Sequence, residues 1–232
     1  MREEDKQYTV KFIGRIRSDF TEKFGIPRQS GLVDELRAAV VLEPEYRDPA
    51  AFRGIEGFSH LWLLWQFSRA VRQDWSPTVR PPRLGGNTRM GVFATRSPFR
   101  PNHLGLSSVK LLGVEQTAQY GTVLYVGGAV HMAGTPIYDI KPYIPYGDCH
   151  PDAIGGFTDQ AGEFLLEVDF PKNLLLKLPE EKWEAAMGVL RHDPRPSYQR
   201  SPDRVYGLTF AGFVFRFTVK DTLLTVVEVN PV

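Results

Sequence analysis

With 232 residues, 42% of them hydrophobic and 24% charged, the chain can build one large domain or a main domain with a small companion, and a disordered or fibrous protein is excluded. The longest apolar run, residues 61–65, is far too short for a membrane helix, and the single cysteine, Cys149, excludes an internal disulfide. The formal charge is only +1, yet residues 75–114 hold Arg80, Arg83, Arg89, Arg96, Arg100 and Lys110 and no carboxylate, which leaves −5 on the rest. A local basic face on a near-neutral body suits a polyanion met at one defined place.

Tyr8, Val10 and Phe12 alternate with period two and open the first expected strand. Residues 38–42, 58–67, 90–94, 106–114, 122–130 and 137–140 follow as strands bounded by Gly or Pro. No helical crossover separates them, so an antiparallel barrel or sandwich is expected. Residues 142–157, rich in Pro, Gly and Asp, read as a long loop. Beyond it, 163–170 alternates like a strand. Residues 179–191 carry helix signals, with Pro179 at the opening, Glu180 and Glu181 in the first turn, Arg191 at the end, and Trp183, Ala186, Met187 and Leu190 as the apolar face. Phe213, Phe215, Phe217 and Val219 form one face of a strand that Lys220-Asp221 can turn into 223–229. The expected architecture is mainly β, an antiparallel non-Rossmann β-barrel over 8–146 and a small α+β C-terminal domain over 159–232.

Several common chemistries lack support. No Gly-x-Gly-x-x-Gly, Walker A or Gly-x-Ser-x-Gly sequence occurs, and the five histidines show no metal spacing, so no metal is expected. The charged opening of the chain has no apolar stretch behind it, and a cytoplasmic protein without membrane attachment is expected.

Four segments remain. The first, residues 24–31, holds Arg28 and Gln29 between Pro27 and Gly31. In the second, Gln66-Phe67-Ser68-Arg69, an apolar strand ends in polar groups, as at a barrel mouth. The third is the arginine-rich run 91–105, where Pro and Gly stiffen the backbone under Arg96 and Arg100. It is either a solvated loop or a site where planar guanidinium forks grip a carboxylate or phosphate, and the lack of carboxylates favours the second reading. The fourth, residues 134–143, sets Asp139, Lys141 and Tyr143 on one face of an extended segment. An Asp and a Lys two apart make a structural ion pair or the polar floor of a site.

Phe58-Ser59-His60-Leu61-Trp62, residues 80–87, residues 91–100 and residues 139–143 resemble the TrmO (TsaA-like, YaeB or VirR) tRNA threonylcarbamoyladenosine methyltransferases, and Asp193-Pro194-Arg195-Pro196-Ser197-Tyr198 resembles their C-terminal signature. The resemblance implies a homodimeric β-barrel that transfers methyl from S-adenosylmethionine to the exocyclic nitrogen of threonylcarbamoyladenosine beside the anticodon. It implies cofactor contacts at Pro27, Arg28 and Gln29, at Phe67 and Ser68, at Arg96 and Leu106, and at Met132, Ala133, Gly134 and Thr135. Where the family pattern carries two aspartates this chain has Val130 and Ala133, and His103 stands where proline is more frequent.

Asp139 is the candidate to polarise the target N–H, with Lys141 or Tyr143 orienting it. Arg80, Arg83, Arg89 and Arg100 are the candidates for tRNA contacts. Two other readings compete. In a non-catalytic RNA-binding barrel, Phe93 and Phe99 stack on bases. A small-molecule methyltransferase needs no broad basic face.

Overall fold

Alternation of apolar and polar residues puts every second side chain inside a closed wall. The structure, a computed structural model, describes residues 9–69, 74–159, 164–195, 201 and 204–232. Strands β1 (Gly14–Ser18), β2 (Arg37–Leu42), β3 (His60–Gln66), β6 (Leu104–Thr117), β7 (Gly121–Gly127) and β8 (Pro136–Pro142) form a closed barrel in the order β1-β2-β7-β6-β3-β8. Every neighbouring pair is antiparallel, and Gly14 opposite Ile137 closes the ring. Ile16, Val40, Leu42, Leu61, Leu63, Val109, Leu124, Val126 and Ile137 fill the interior at 2% exposure or less. Closure removes the unpaired edges that an open sheet presents.

The first strand begins later than the alternation of Tyr8, Val10 and Phe12 suggests. Tyr8 lies outside the described residues, and Val10 and Phe12 are exposed. Glycine at position 14 decides the start of close pairing, since a Cβ there would stand 2.7 Å from the Val41 carbonyl oxygen. Residues 90–94 are likewise only half a strand. A two-stranded ribbon of β4 (Thr78–Val79) and β5 (Met90–Gly91) gives way to a 3-10 turn at Val92–Ala94. Residues 142–157 hold one α-helical turn, α1 (Pro145–Asp148), and the start of a 3-10 turn at Gly156–Thr158.

The C-terminal region is a four-stranded sheet, β10 (Tyr206–Phe210), β11 (Phe213–Lys220), β12 (Leu223–Pro231) and β9 (Glu167–Asp169), the last parallel to β12. A short α2 (Lys172–Leu175) and α3 (Trp183–Arg191) accompany it. Helix α3 starts at Trp183 because 180–182 form a 3-10 turn, and its buried face is Ala185, Ala186, Val189 and Leu190, with Trp183 packed at its edge. The β11–β12 turn is Asp221-Thr222, with Lys220 opposite Leu223 and Asp221 at φ 52, which aspartate tolerates.

The two cores interlock through residues 19–36, the connection from β1 to β2. Phe20, Val33 and Leu36 are at most 2% exposed and belong to the C-terminal core, not the barrel's. Phe20 lies 5.0 Å from the Phe210 ring, and Lys182 Nζ donates to Asp19 Oδ2 at 2.6 Å. At Gly25, φ is 79 and any Cβ would run into Leu208. His192 Nε2 lies 2.9 Å from the Leu32 carbonyl oxygen. Burying a side chain like Phe20 contributes about 1.5–3 kcal/mol, so the connection is anchored along its length by the C-terminal domain.

Candidate functional site

The anchored connection carries the first segment. Pro27 is buried, Arg28 exposed and Gln29 half-buried. Gly31 N–H donates to the Gly128 carbonyl at 3.0 Å, which lays the loop along the connection from β7 to β8. Gly128 has φ 66, and a Cβ there would press on the Gly31 backbone at 3.1 Å, so a side chain would lift the loop away.

Met132 to Thr135 form a turn hooked onto β1. Ala133 N–H donates to Phe20 O and Gly134 N–H to Ile16 O, both at 2.8 Å, while Thr135 O accepts from Ile16 N–H at 3.0 Å. Arg15 Nη1 adds a bond to Gly134 O at 3.2 Å. Main-chain bonds hold the turn at Ala133, and Val130 packs against the C-terminal core.

Hydroxyl groups stiffen the arginine-rich run from within. Thr95 Oγ1 donates to Val92 O at 2.9 Å and accepts from Ser97 N–H, and Ser97 Oγ accepts from Phe99 N–H. Arg100 is used here too, its Nη1 donating to Thr95 O at 3.1 Å, so this guanidinium braces the turn. Arg96 points the other way. Its Nη1 donates to Gln29 Oε1 at 2.6 Å and joins the third segment to the first. Phe67 N–H donates to His103 O at 2.9 Å and joins the second to the third, and Ser68 N–H donates back to Gln66 O.

Strand register places the remaining candidates. Leu106 on β6 faces Leu64 on β3, which faces Asp139 on β8, one row across the outer barrel wall. Asp139 Oδ1 accepts from Ile140 N–H at 2.9 Å and Oδ2 pairs with Lys141 Nζ at 3.1 Å, both side chains well exposed. The Tyr143 ring lies 5.6 Å from Trp62, the residue opposite Lys141, and 6.2 Å from His60, and burial raises its phenol above the ordinary value. Arg80 and Arg89 are exposed on the β4–β5 ribbon, Arg89 Nη1 donating to Thr78 Oγ1 at 2.9 Å. The Arg83 side chain lies outside the described residues.

Sequence patterns did not single out three groups. His131 is 2% exposed inside the barrel mouth, edge-on to Trp65 at 4.9 Å, and neither ring nitrogen has a partner among the described residues. Burial lowers its pKa from 6.5 to about 4. The alternation of Leu124 and Val126 along β7, continued to 131, would set it on the outer face, so no local period marks it as inside. Asp148 accepts from Trp62 Nε1 at 2.9 Å and Ile144 N–H at 2.8 Å, which hold its carboxyl below the ordinary range. Trp75, the third, lies on the surface 6.2 Å from Phe93, the ring already named from the sequence for base stacking.

The C-terminal signature proves structural where it is described. Arg195 grips Asp193 through Nε at 2.8 Å and Nη2 at 2.9 Å, with its side chain 8% exposed and its guanidinium 5.9 Å from the Tyr206 ring. Pro196, Ser197 and Tyr198 lie outside the described residues.

Residues 15–149 match the family described as the tRNA-methyltransferase O N-terminal domain, and residues 164–232 match the TrmO C-terminal domain. The chain belongs to the TrmO family. It is 40% identical over 227 residues to the Escherichia coli (strain K12) tRNA (adenine(37)-N6)-methyltransferase, covering 94% of this chain and 96% of that one. A Pseudomonas aeruginosa relative named by inference as an S-adenosylmethionine-dependent methyltransferase is 40% identical over 209 residues, 87% of this chain and 88% of its own. A TrmO crystal structure from P. aeruginosa superposes with a TM-score of 0.81 at 33% identity, covering 99% of this chain and 100% of that one. The TrmO barrel and its C-terminal domain are thus both present. Among the described residues no cluster of metal-binding side chains and no helix long and apolar enough to cross a membrane occurs.

Proposed function

We propose that this chain is an S-adenosylmethionine-dependent tRNA methyltransferase acting on N6 of the adenine at position 37, and that the adenine it accepts carries the threonylcarbamoyl group. The supporting observation is the near full-length similarity to a tRNA (adenine(37)-N6)-methyltransferase, joined to the geometry that brings Arg96 onto Gln29. It works as a homodimer in the cytoplasm, with exposed Leu104 and Leu106 on the outer face of β6 as the contact surface. Residues 8–146 bind and react, and residues 159–232 hold the first loop in place.

The donor set fits the cofactor. Guanidinium groups at Arg28 and Arg96 match its carboxylate, and two buried polar groups in the same loops lack partners among the described residues, Ser30 Oγ beside Gln29 and the His131 imidazole beside Met132. Pro27, Arg28, Gln29, Phe67, Ser68, Arg96, Leu106 and the Met132 to Thr135 turn would hold it. Bound there, S-adenosylmethionine supplies an electrophilic methyl group.

The residues of the chain supply position and polarity. The lone pair of the target nitrogen is delocalised into the purine and the adjoining carbonyl, so it attacks only once its N–H is polarised. Asp139 spends two acceptor sites on Ile140 and Lys141 and keeps others for that N–H. Lys141 orients the carboxylate. The threonine carboxylate of the substrate meets the arginine-rich turn, and holding both reactants in line replaces a costly bimolecular encounter.

Incubation with labelled S-adenosylmethionine and total tRNA from cells with and without the threonylcarbamoyl modification tests the reading. Label confined to modified tRNA is the expected result. Equal labelling of both pools rejects the threonylcarbamoyl requirement, and none in either rejects the enzyme.

A further inference from the structure

We infer that the stacked rings of Trp75 and Phe93 form a platform on which an unpaired base of the anticodon loop stacks while phosphates on either side meet the arginines of the β4–β5 ribbon. The inference rests on the proposed tRNA substrate and adds to it where and how the loop docks. Trp75 is 49% exposed and Phe93 71%, and their rings lie 6.2 Å apart at 26°. At that separation the nearly parallel rings lie offset, and the 71% exposure of Phe93 leaves a face of its ring open to solvent. That face is a flat apolar surface to which a third ring can add.

The backbone beneath is rigid. Val92 is 1% exposed, its N–H donates to Pro77 O at 2.9 Å, and its carbonyl accepts from both Thr95 N–H and Thr95 Oγ1. The rings therefore stand on a pinned corner and lose little freedom on binding. Thr78 opposite Gly91 and Val79 opposite Met90 then lead to Arg80 and Arg89 across from each other at the far end of the ribbon. Arg89 Nη1 reaches back along the ribbon to Thr78 Oγ1 at 2.9 Å, which sets its guanidinium on the ribbon between its far end and the rings.

Charge identifies the partner. Residues 75–114 contain six cations and no carboxylate, so the chain leading from the rings into the ribbon is cationic, with the exposed Asp74 standing just before Trp75. Exposed aromatics with cations at one side suit unpaired nucleic acid, in which each base offers a π-face and each link a negative charge. A duplex of stacked pairs has no free face to offer.

Fluorescence anisotropy at fixed salt, with the full-length protein and either an anticodon stem–loop or a fully paired RNA of equal length, tests the platform. Phe93→Ala and Trp75→Ala are expected to weaken stem–loop binding about tenfold, the size of one lost base stack. Duplex binding, the salt slope and the affinity for S-adenosylhomocysteine stay at wild-type values, and Phe93→Trp restores the loss. The proposal is overturned if both alanine variants bind the stem–loop like wild type, or if stem–loop and duplex weaken equally. It is also overturned if the variants alter only the sedimentation of the protein, which makes the patch an interface between copies. A wild type that binds no stem–loop at all rejects the tRNA reading itself and the platform with it.

Discussion

Arg96 and Gln29 lie 67 residues apart in the chain, yet Arg96 Nη1 donates to Gln29 Oε1 at 2.6 Å. One end of this bond stands on a turn stiffened by its own hydroxyls. The other stands on a loop anchored in the C-terminal core. Arg96→Ala is therefore expected to weaken S-adenosylhomocysteine binding at least tenfold by calorimetry and to abolish methylation, while Arg96→Lys, lacking the planar fork, recovers little of either. Wild-type cofactor affinity in Arg96→Ala moves the site elsewhere.

Asp139→Asn keeps the shape of the side chain and most of its hydrogen bonds but removes the charge. Turnover is expected to fall by about 10²–10⁴ with cofactor affinity unchanged. A variant as active as wild type reduces Asp139 to the exposed ion pair with Lys141.

His131 costs the fold something at any pH, because a buried polar atom without a partner carries a desolvation penalty of about 1–3 kcal/mol. His131→Leu is expected to stabilise the protein by that order in urea unfolding at pH 7. Acid enlarges the cost. With the pKa lowered from 6.5 to about 4 in the folded protein, the unfolded chain binds the extra proton first. The contribution is thus whole above pH 6.5 and lost as the pH falls towards 4, on the order of 3 kcal/mol in total. His131→Leu should lack this part of the acid sensitivity. Identical pH profiles for the two proteins would mean that the imidazole finds a partner in solution.

Phe20 belongs to the β1–β2 connection by sequence and to the C-terminal core by packing. Phe20→Ala is expected to cost about 3–5 kcal/mol and to loosen the first loop with it, so unfolding stability and cofactor affinity fall together. Loss of stability without loss of affinity would separate the two domains functionally.

Arg80→Ala and Arg89→Ala remove charge from the ribbon without touching either core. Each should weaken tRNA binding and reduce the slope of log affinity against log salt by about 0.7–0.9. An unchanged slope in both places the phosphates on another face.

Much of this was readable along the chain because strand alternation is local. The shared face of Asp139 and Lys141 and the alternation of β11 follow from a period of two, whereas residues 61–65 are apolar on both faces and only barrel closure turns Leu61 and Leu63 inward. Strand ends were less legible. The start of β1 depends on a close approach at Gly14, and the stop of β5 on a turn that the Thr95 hydroxyl completes. Composition showed the basic window, but not that Arg100 turns inward while Arg96 turns out.

By itself the sequence determined a β-rich chain with one cationic, proline-stiffened stretch and the motifs of a tRNA methyltransferase family, because patterning, charge and motif residues are properties of neighbours. Tertiary structure alone decided that 19–36 belongs to the other domain's core, that Arg96 meets Gln29, that His131 is sealed beside Trp65 and that Trp75 lies on Phe93. Each of these joins segments that no local period relates, and only closing the barrel and docking the C-terminal sheet bring them together.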